Sequence, residues 1–326
     1  MDLMELIFIL LGAAICVYYG WKLLLFSRML FPKRCFPLSE TFFTSMGDWA
    51  VVTGASEGIG RAYAFALAER GMNVVIMSRT KATLDLLAKE IGEATGQKVK
   101  VIVADFSCDN TFREIEEQLM DLNIGVLVNN VGVLPSIIPC KFLDTEKLEK
   151  TITMVINCNV KTMMKVRFEI IITLFCKIKE RKGLIVNISS GISTFPFPLY
   201  TLYAASKVFV ERFSRCLQAE YESKGIIIQA VVPFGVSTRM AGYQKTNMVT
   251  LSPEDFVKTS MQYLRAGDKT HGSICHTALG WLMQCIPLKV LHSEFLLQHM
   301  QYYVKKKMTK KQLMSAKTAP SENRKH

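Results

Sequence analysis

The sequence predicts an α/β protein whose core is a doubly wound parallel sheet. An N-terminal membrane anchor precedes that core and an amphipathic helical extension follows it. Three observations lead there. Short apolar runs alternate with helical stretches from Asp48 to His276, a glycine-rich turn follows the first run, and a long apolar stretch stands near the N-terminus.

The apolar runs read, in order, "WAVVTG" (Trp49–Gly54), "NVVIMS" (Asn73–Ser78), "VKVIVAD" (Val99–Asp105), "GVLVNN" (Gly125–Asn130), "GLIVNIS" (Gly183–Ser189) and "IIIQAVV" (Ile226–Val232). "GSICH" (Gly272–His276) is a candidate seventh. The runs are rich in Val and Ile and do not alternate with polar residues, as strands covered on both faces should read. Helical periodicity fills the intervals, so successive strands pair in parallel through helical crossovers.

The stretch Leu6–Phe26 holds one charge, Lys22. It has the roughly 20 residues a helix needs to cross a bilayer. A cleaved signal would start basic and end in small residues. This chain starts acidic, with Asp2 and Glu5, and leaves the stretch basic, with Arg28, Lys33 and Arg34. An uncleaved anchor with the rest of the chain in the cytosol fits that charge pattern. The expected organisation is an anchor over 1–32, a linker over 33–47, a sheet domain over 48–276, an apolar extension over 277–304 and a basic tail over 305–326.

Composition narrows the classes further. Half of the 326 residues are hydrophobic and the net charge is +12. Of that charge +7 sits in the last 22 residues, from Lys305 through Lys311 and Lys317 to Arg324 and Lys325 against Glu322. A nucleic-acid binder spreads its basic residues over a folded surface with aromatics between them, so none is expected as a partner. A basic tail after an apolar segment reads as a membrane-surface contact or as a solvated end. The nine cysteines show no CxxC pair and no zinc-ligand spacing. They read as reduced thiols in a reducing compartment, with no metal site.

The turn "TGASEGIG" (Thr53–Gly60) links the first strand to the first helix. Gly54 permits the sharp turn, Gly58 lets backbone approach a phosphate, and Gly60 lets helix and sheet close together. This Rossmann-like arrangement points a helix N-terminus at a pyrophosphate. An NAD site places an acid after the second strand to hold the ribose hydroxyls. This chain has "SRTK" there instead, and Arg79 can pair with a 2′-phosphate. The expected cofactor is therefore NADP(H). Asp105, ending the third strand, is a candidate for the adenine amino group. Asn129 and Asn130 end the fourth, Asn129 in a structural role and Asn130 closing the cofactor site.

Ketone reduction adds a hydride to carbon and a proton to oxygen. A tyrosine with an ammonium one helical turn away is a suitable proton donor, because the cation favours the phenolate and lowers the pKa. "PLYTLYAASKVFV" (Pro198–Val210) holds two tyrosines and one lysine. Tyr203 and Lys207 have the i, i+4 spacing of one helix face, whereas Tyr200 has Ala204 at that offset. Tyr203 is the candidate acid and Tyr200 a residue of the helix entrance or the substrate wall.

Taken together and in this order, "TGASEGIG", "NNVG" (Asn129–Gly132), "NISSG" (Asn187–Gly191) and "YAASK" (Tyr203–Lys207) resemble the short-chain dehydrogenase/reductase family over about two-thirds of the chain. The resemblance implies a catalytic set of Tyr203, Lys207, Ser190 and Asn159. Ser190 stands thirteen residues before the tyrosine and would hydrogen-bond the substrate carbonyl. Asn159, in "VINCNVKT", fits the family's pattern better than Asn157 and would hold a water beside Lys207. Ser56, Ile59, Val236 and Thr238 join the implied cofactor contacts, with Thr238 near the nicotinamide. The family has Pro-Gly where this chain reads "PFGVST" (Pro233–Thr238), so Phe234 replaces a glycine. "NIS" at Asn187 also matches a glycosylation acceptor, but it lies in a predicted buried strand and reads as chance.

"GISTFPFPLY" (Gly191–Tyr200) crowds apolar side chains beside the reacting groups. Phe195, Phe197, Tyr200 and Phe234 are the expected substrate contacts, with Ser190. The substrate class is large and apolar, delivered from a membrane. "MQCIPLKVLHSEFLLQHMQYYV" (Met283–Val304) carries Pro287, Lys289, His292 and Glu294, which argue against a second span and for a helix on the membrane or over the substrate site. Within the family the chain is most similar to membrane-anchored 17β-hydroxysteroid dehydrogenases. That resemblance implies reduction of a 17-ketosteroid, androstenedione to testosterone, at the endoplasmic reticulum. The alternatives are a very-long-chain 3-oxoacyl-CoA reductase, with Lys305–Lys311 near the CoA phosphates, and a catalytically silent lipid-binding membrane protein. Pairing as a homodimer is compatible with the family.

Overall fold

A computed structural model describes residues 2–106, 111–165 and 182–318. Its strands are β1 (Trp49–Thr53), β2 (Asn73–Ser78), β3 (Val99–Val103), β4 (Ile124–Asn129), β5 (Gly183–Ile188), β6 (Ile226–Val231), β7 (Gly235–Val236), β8 (Thr250–Leu251) and β9 (Lys269–Thr270). Seven of them form one parallel sheet in the order β3-β2-β1-β4-β5-β6-β9, and β7 pairs with β8 in a separate ribbon.

Successive strand residues point to opposite faces. Ala50 and Val52 of β1, Val74 and Ile76 of β2, and Val126 and Val128 of β4 pack into one core layer. Val51, Val75, Met77 and Leu127 pack into the other. Both faces are covered, so the middle positions of these strands are apolar, and each buried Val, Ile or Leu contributes roughly 1.5–3 kcal/mol. Six strands fall where the apolar runs predict them. The seventh does not: β9 is Lys269–Thr270, and the expected run Gly272–His276 straddles the start of a helix. Ser273 accepts a hydrogen bond from the His276 N–H and caps that helix, Ile274–Cys285, which outweighs the strand preference of Ile274.

The chain leaves β1 for β2 on one side, while β4 lies on the other. The crevice at their C-terminal ends is where a sheet of this topology binds ligands.

Helix Leu3–Leu30 has no buried residue. Its 28 residues make it about 42 Å long at about 1.5 Å per residue, enough for a hydrocarbon layer of about 30 Å. Among the described residues it is the one helix long and apolar enough to cross a membrane. The helix is tied to the sheet domain. The Tyr263 hydroxyl donates to the Met29 carbonyl at 2.8 Å, and Phe26 meets Trp281 at 6.3 Å between ring centres. Within the expected linker, Phe43 and Met46 are buried in the core.

After β9 the chain forms helices Ile274–Cys285, Leu288–Leu291 and Glu294–Thr318, broken around Pro287 and His292. The last helix runs through the expected boundary at 304/305. Gln301 donates to the Pro139 carbonyl at 3.1 Å and the His292 ring meets the Pro196 carbonyl at 2.9 Å. The extension thus rests against the segments on both sides of the candidate substrate site. The tail residues Glu322, Arg324 and Lys325, and residues 166–181 before β5, lie outside the described residues.

Candidate active site

The glycine turn is built as its residues dictate. Gly54 and Gly58 have φ of 64° and 60°, in the left-handed region that favours glycine. A Cβ on Gly60 would fall 2.2 Å from the Gly54 carbonyl oxygen, so only glycine lets helix Gly58–Ala68 close onto the turn. The N-cap residue Glu57 makes no side-chain cap, so its carboxylate leaves the first N–H groups of the helix to a ligand. Ser56 and Ile59 are half-buried on this turn. Asn130 donates to the Gly54 carbonyl at 3.1 Å, so its amide braces the turn against β4. Asn129 instead donates to Asn187 on β5 at 2.9 Å, and Asn187 donates to Ser214. Asn187 is fully buried and engaged, which leaves no place for a glycan.

Arg79 is exposed at the end of β2, beside the turn, and Asp105 is exposed just beyond β3. Opposite them, β7 and β8 frame a loop over residues 237–249. Val236 is buried in this ribbon. Thr238 packs its methyl against Gly58, 3.0 Å from where a Cβ would stand, and accepts from the Ala241 N–H. Its side chain therefore meets the glycine turn at Gly58. Glu57 holds the loop down through Arg239 at 2.6 Å and the Tyr243 hydroxyl at 3.2 Å.

The candidate reacting groups come from the turn after β5 and from helix Thr201–Tyr221. That helix follows Pro198, contains no Gly or Pro, and is succeeded by Gly225 with φ of 74°. Ser189, at the end of β5, donates to the Lys207 carbonyl at 2.7 Å and fastens strand to helix, as a strand-end residue should. Ser190 heads the tight turn Gly191–Thr194, its hydroxyl accepting from the Ile192 N–H and standing near the Tyr203 phenol. Lys207 is buried and donates to the Ile188 carbonyl at 3.1 Å. Burial pushes the Tyr203 phenol up to about 12, against the lowering effect of the Ser190 hydroxyl. Burial also pushes Lys207 down to about 8. The phenol is thus not acidified as helical spacing alone predicts. It keeps its proton at neutral pH, the state an acid needs, beside a lysine that is still mostly charged.

Tyr200 caps the start of the same helix and donates to the Ile137 carbonyl at 2.6 Å. Burial pushes its phenol up to about 12. Its proton is committed to backbone, which separates it from Tyr203. Leu199 before it has φ of 69°, a conformation costing about 1–3 kcal/mol, and its carbonyl accepts from Cys140 N at 3.2 Å. These bonds stitch the 135–145 segment to the catalytic helix.

Asn159 lies in a π-helical turn, Ile156–Lys161, a geometry that recurs at functional sites. Its amide donates to the Val133 carbonyl at 3.0 Å and the Ser206 hydroxyl at 2.9 Å, and accepts from the Val133 N–H at 2.8 Å. All three of these bonds are to protein groups. The amide clamps the strand-β4 exit to the catalytic helix.

A cavity of about 370 Å³ opens beside Tyr203, between the 135–151 segment and Leu199–Tyr203. Ile138, Phe142 and Leu202 give it apolar walls, and Asp144 and Glu146 are the only charged residues among those lining it. Tyr200 lines it as expected. Phe195 and Phe197 are not among its lining residues; Phe197 meets the Tyr200 ring at 5.9 Å and Phe195 meets Phe197 at 5.4 Å, both tilted. Phe234 is not among its lining residues either. Its ring lies against the bare Cα of Gly191 and stacks on His271 at 5.4 Å. The absent side chain of Gly191 makes the room.

Some of this the residue patterns did not reveal. Met240 receives a weak hydrogen bond from the Tyr203 hydroxyl at 3.8 Å, from a loop with no periodicity to place it. Glu211 accepts from Ser193 and Lys269, both at 2.7 Å, joining the Ser190 turn to β9. Its i+4 spacing from Lys207 was the available signal.

A family model described as short chain dehydrogenase matches residues 48–248. The chain is 55% identical over 311 residues to the 17-beta-hydroxysteroid dehydrogenase type 3 of Danio rerio, covering 94% of this chain and 98% of that one. It is 42% identical over 270 residues to the very-long-chain 3-oxoacyl-CoA reductase of Anas platyrhynchos, covering 82% and 85%. Among solved structures, a short-chain dehydrogenase from Sphingobium yanoikuyae in complex with NADPH superposes with a TM-score of 0.61 at 27% identity, over 73% of this chain and 96% of that one.

Proposed function

Because the chain belongs to the short-chain dehydrogenase family, we propose that it reduces a 17-ketosteroid to the 17β-hydroxysteroid with NADPH, converting androstenedione to testosterone. The residues fit the cofactor. The glycine turn holds Gly54 and Gly58 in the left-handed region, the helix N-terminus above it is uncapped, and Arg79 is exposed at the end of β2, within reach of a 2′-phosphate on this reading. Bound NADPH supplies the hydride that reaches the carbonyl carbon. Ser190 Oγ donates to the carbonyl oxygen and steadies its growing charge. Tyr203 Oη delivers the proton to that oxygen, completing the alcohol. Lys207, fixed by the Ile188 carbonyl, supports the phenolate left behind. Asp105 borders the adenine side.

The charge of the cavity carries the choice of substrate. Beside Tyr203 the wall is apolar with Asp144 and Glu146 and no cation among its lining residues. A neutral steroid tolerates that wall, whereas the phosphates of a CoA thioester are repelled by it. The similarity to a type 3 dehydrogenase over nearly the whole chain supports the same reading. The exposed apolar helix supports a membrane location, which we assign to the endoplasmic reticulum with the sheet domain in the cytosol.

The test is turnover in membranes from expressing cells given NADPH and either androstenedione or a 3-oxoacyl-CoA. Testosterone formation with no acyl-CoA reduction is expected. The reverse outcome makes the protein an elongation reductase, and turnover of neither makes it a silent lipid binder.

A further inference from the structure

We propose that Phe234 is a positioning residue that sets the turn carrying Ser190, and that it acts only as a pair with Gly191. The inference rests on the reading of Ser190 as the group that holds the substrate carbonyl.

One face of the Phe234 ring covers Gly191. A Cβ there would stand 2.4 Å from Cδ1 and 2.6 Å from both Cγ and Cε1. Gly191 needs no left-handed backbone, since it is absent from the positive-φ positions. Its lack of a side chain is explained by the ring alone. The Gly191 N–H donates to the Pro233 carbonyl at 2.6 Å, so the two loops are also joined by backbone, at Gly191 itself and at the residue before Phe234.

The other side of the ring is held by two histidines. His271 stacks on it at 5.4 Å and His276 meets it edge-on at 6.1 Å. His276 Nδ1 receives the Phe234 N–H at 3.4 Å while its Nε2 meets the Val249 carbonyl at 2.9 Å. That pattern requires one neutral tautomer, protonated on Nε2. His271 Nδ1 meets the Val232 carbonyl at 2.9 Å, and its Nε2 side abuts Gly280, where a Cβ would come within 2.6 Å. Burial pushes both rings' pKa down, His271 to about 4, so both are neutral at pH 7. The ring of Phe234 is therefore a wedge between a fixed histidine pair and the Cα next to Ser190. Shifting the wedge moves Ser190 relative to Tyr203, and a misplacement of about 1 Å can cost on the order of a hundredfold in rate.

The experiment compares Gly191→Ala, Phe234→Gly, their double variant and Ser190→Ala in the full-length protein. It measures kcat and KM for the ketone, and NADPH affinity by fluorescence. Gly191→Ala is expected to lower kcat at least tenfold with NADPH affinity changed much less, because the glycine turn and Arg79, which would hold the phosphates, lie on other strands. Phe234→Gly is expected to lower kcat several-fold. The double variant is expected to exceed Gly191→Ala by at least fivefold, since the added methyl then has room. A double variant no better than the product of the single effects overturns the pairing. So does a Phe234→Gly effect confined to KM, which would mean that the ring touches substrate. If Phe234→Gly does not accumulate as folded protein, Phe234→Leu replaces it, because a branched chain can turn from the new methyl. Equal activity of Gly191→Ala with and without Phe234→Leu would then overturn the proposal. Full activity in Ser190→Ala removes the catalytic reading and the pairing with it. Loss of activity in Ser190→Ala without rescue in the double variant removes the pairing alone.

Discussion

The Lys207 ammonium lies 5.7 Å from the centre of the Tyr203 ring and donates to the Ile188 carbonyl. No hydrogen bond joins the two, so on the reading of Tyr203 as the acid the lysine's charge would act through space, on the phenolate that proton transfer leaves. Burial sets that charge to be lost near pH 8, below the ordinary lysine value. Lys207 is cationic below about pH 8 and neutral above it, while Tyr203, pushed up to about 12, stays protonated throughout. Ketone reduction should be level from pH 6 to 7 and fall toward tenfold per unit above about pH 8. A pH profile of kcat/KM checks this, and a rate that rises above pH 8 contradicts it.

Tyr203→Phe should lower kcat by roughly 10²–10⁴, the usual value of a positioned acid. Tyr200→Phe removes only a bond to the Ile137 carbonyl. It should cost about 0.5–1.5 kcal/mol of stability and leave kcat within about threefold. Steady-state kinetics with thermal melting of both variants separates the roles, and equal kcat losses would refute the assignment.

Arg79 is exposed at the edge of the cofactor crevice. A hydrogen bond to a charged group is worth about 1.5–3 kcal/mol, or roughly ten- to a hundredfold. Arg79→Asp replaces attraction of a 2′-phosphate with repulsion. The NADPH-to-NADH ratio of kcat/KM should fall by at least that factor, and an unchanged ratio would place the phosphate elsewhere.

Glu57 joins the glycine turn to the 237–249 loop through Arg239 and Tyr243. Arg239 is largely exposed, so the ion pair contributes about 0–1 kcal/mol. Glu57→Gln should raise the NADPH dissociation rate about two- to fivefold in stopped-flow fluorescence, with kcat changed less. The effect should shrink in high salt, which screens the wild-type pair.

Much of this site could be read before any coordinates. Period and composition located six strands because a sheet covered on both faces leaves no polar position to confuse them. The i, i+4 rule separated Tyr203 from Tyr200, and the hydrogen bond of Tyr200 to Ile137 supplies the reason. The seventh strand was misplaced because a two-residue strand carries no periodicity, whereas Ser273 gave a cap signal that was overlooked. Phe234 was assigned to the substrate on the character of its ring. Only three-dimensional packing reveals that a glycine 43 positions earlier receives it. Asn159 was identified by pattern, yet its amide faces Val133 and Ser206, a choice made by the π-helical turn.

The bond from Tyr263 to the Met29 carbonyl has a mechanical consequence. Met29 is in the last turn of the long apolar helix, and Tyr263 stands just ahead of β9. A domain fastened this way has no free swivel at its base. Any tilt of the helix is passed on to the sheet domain through this joint.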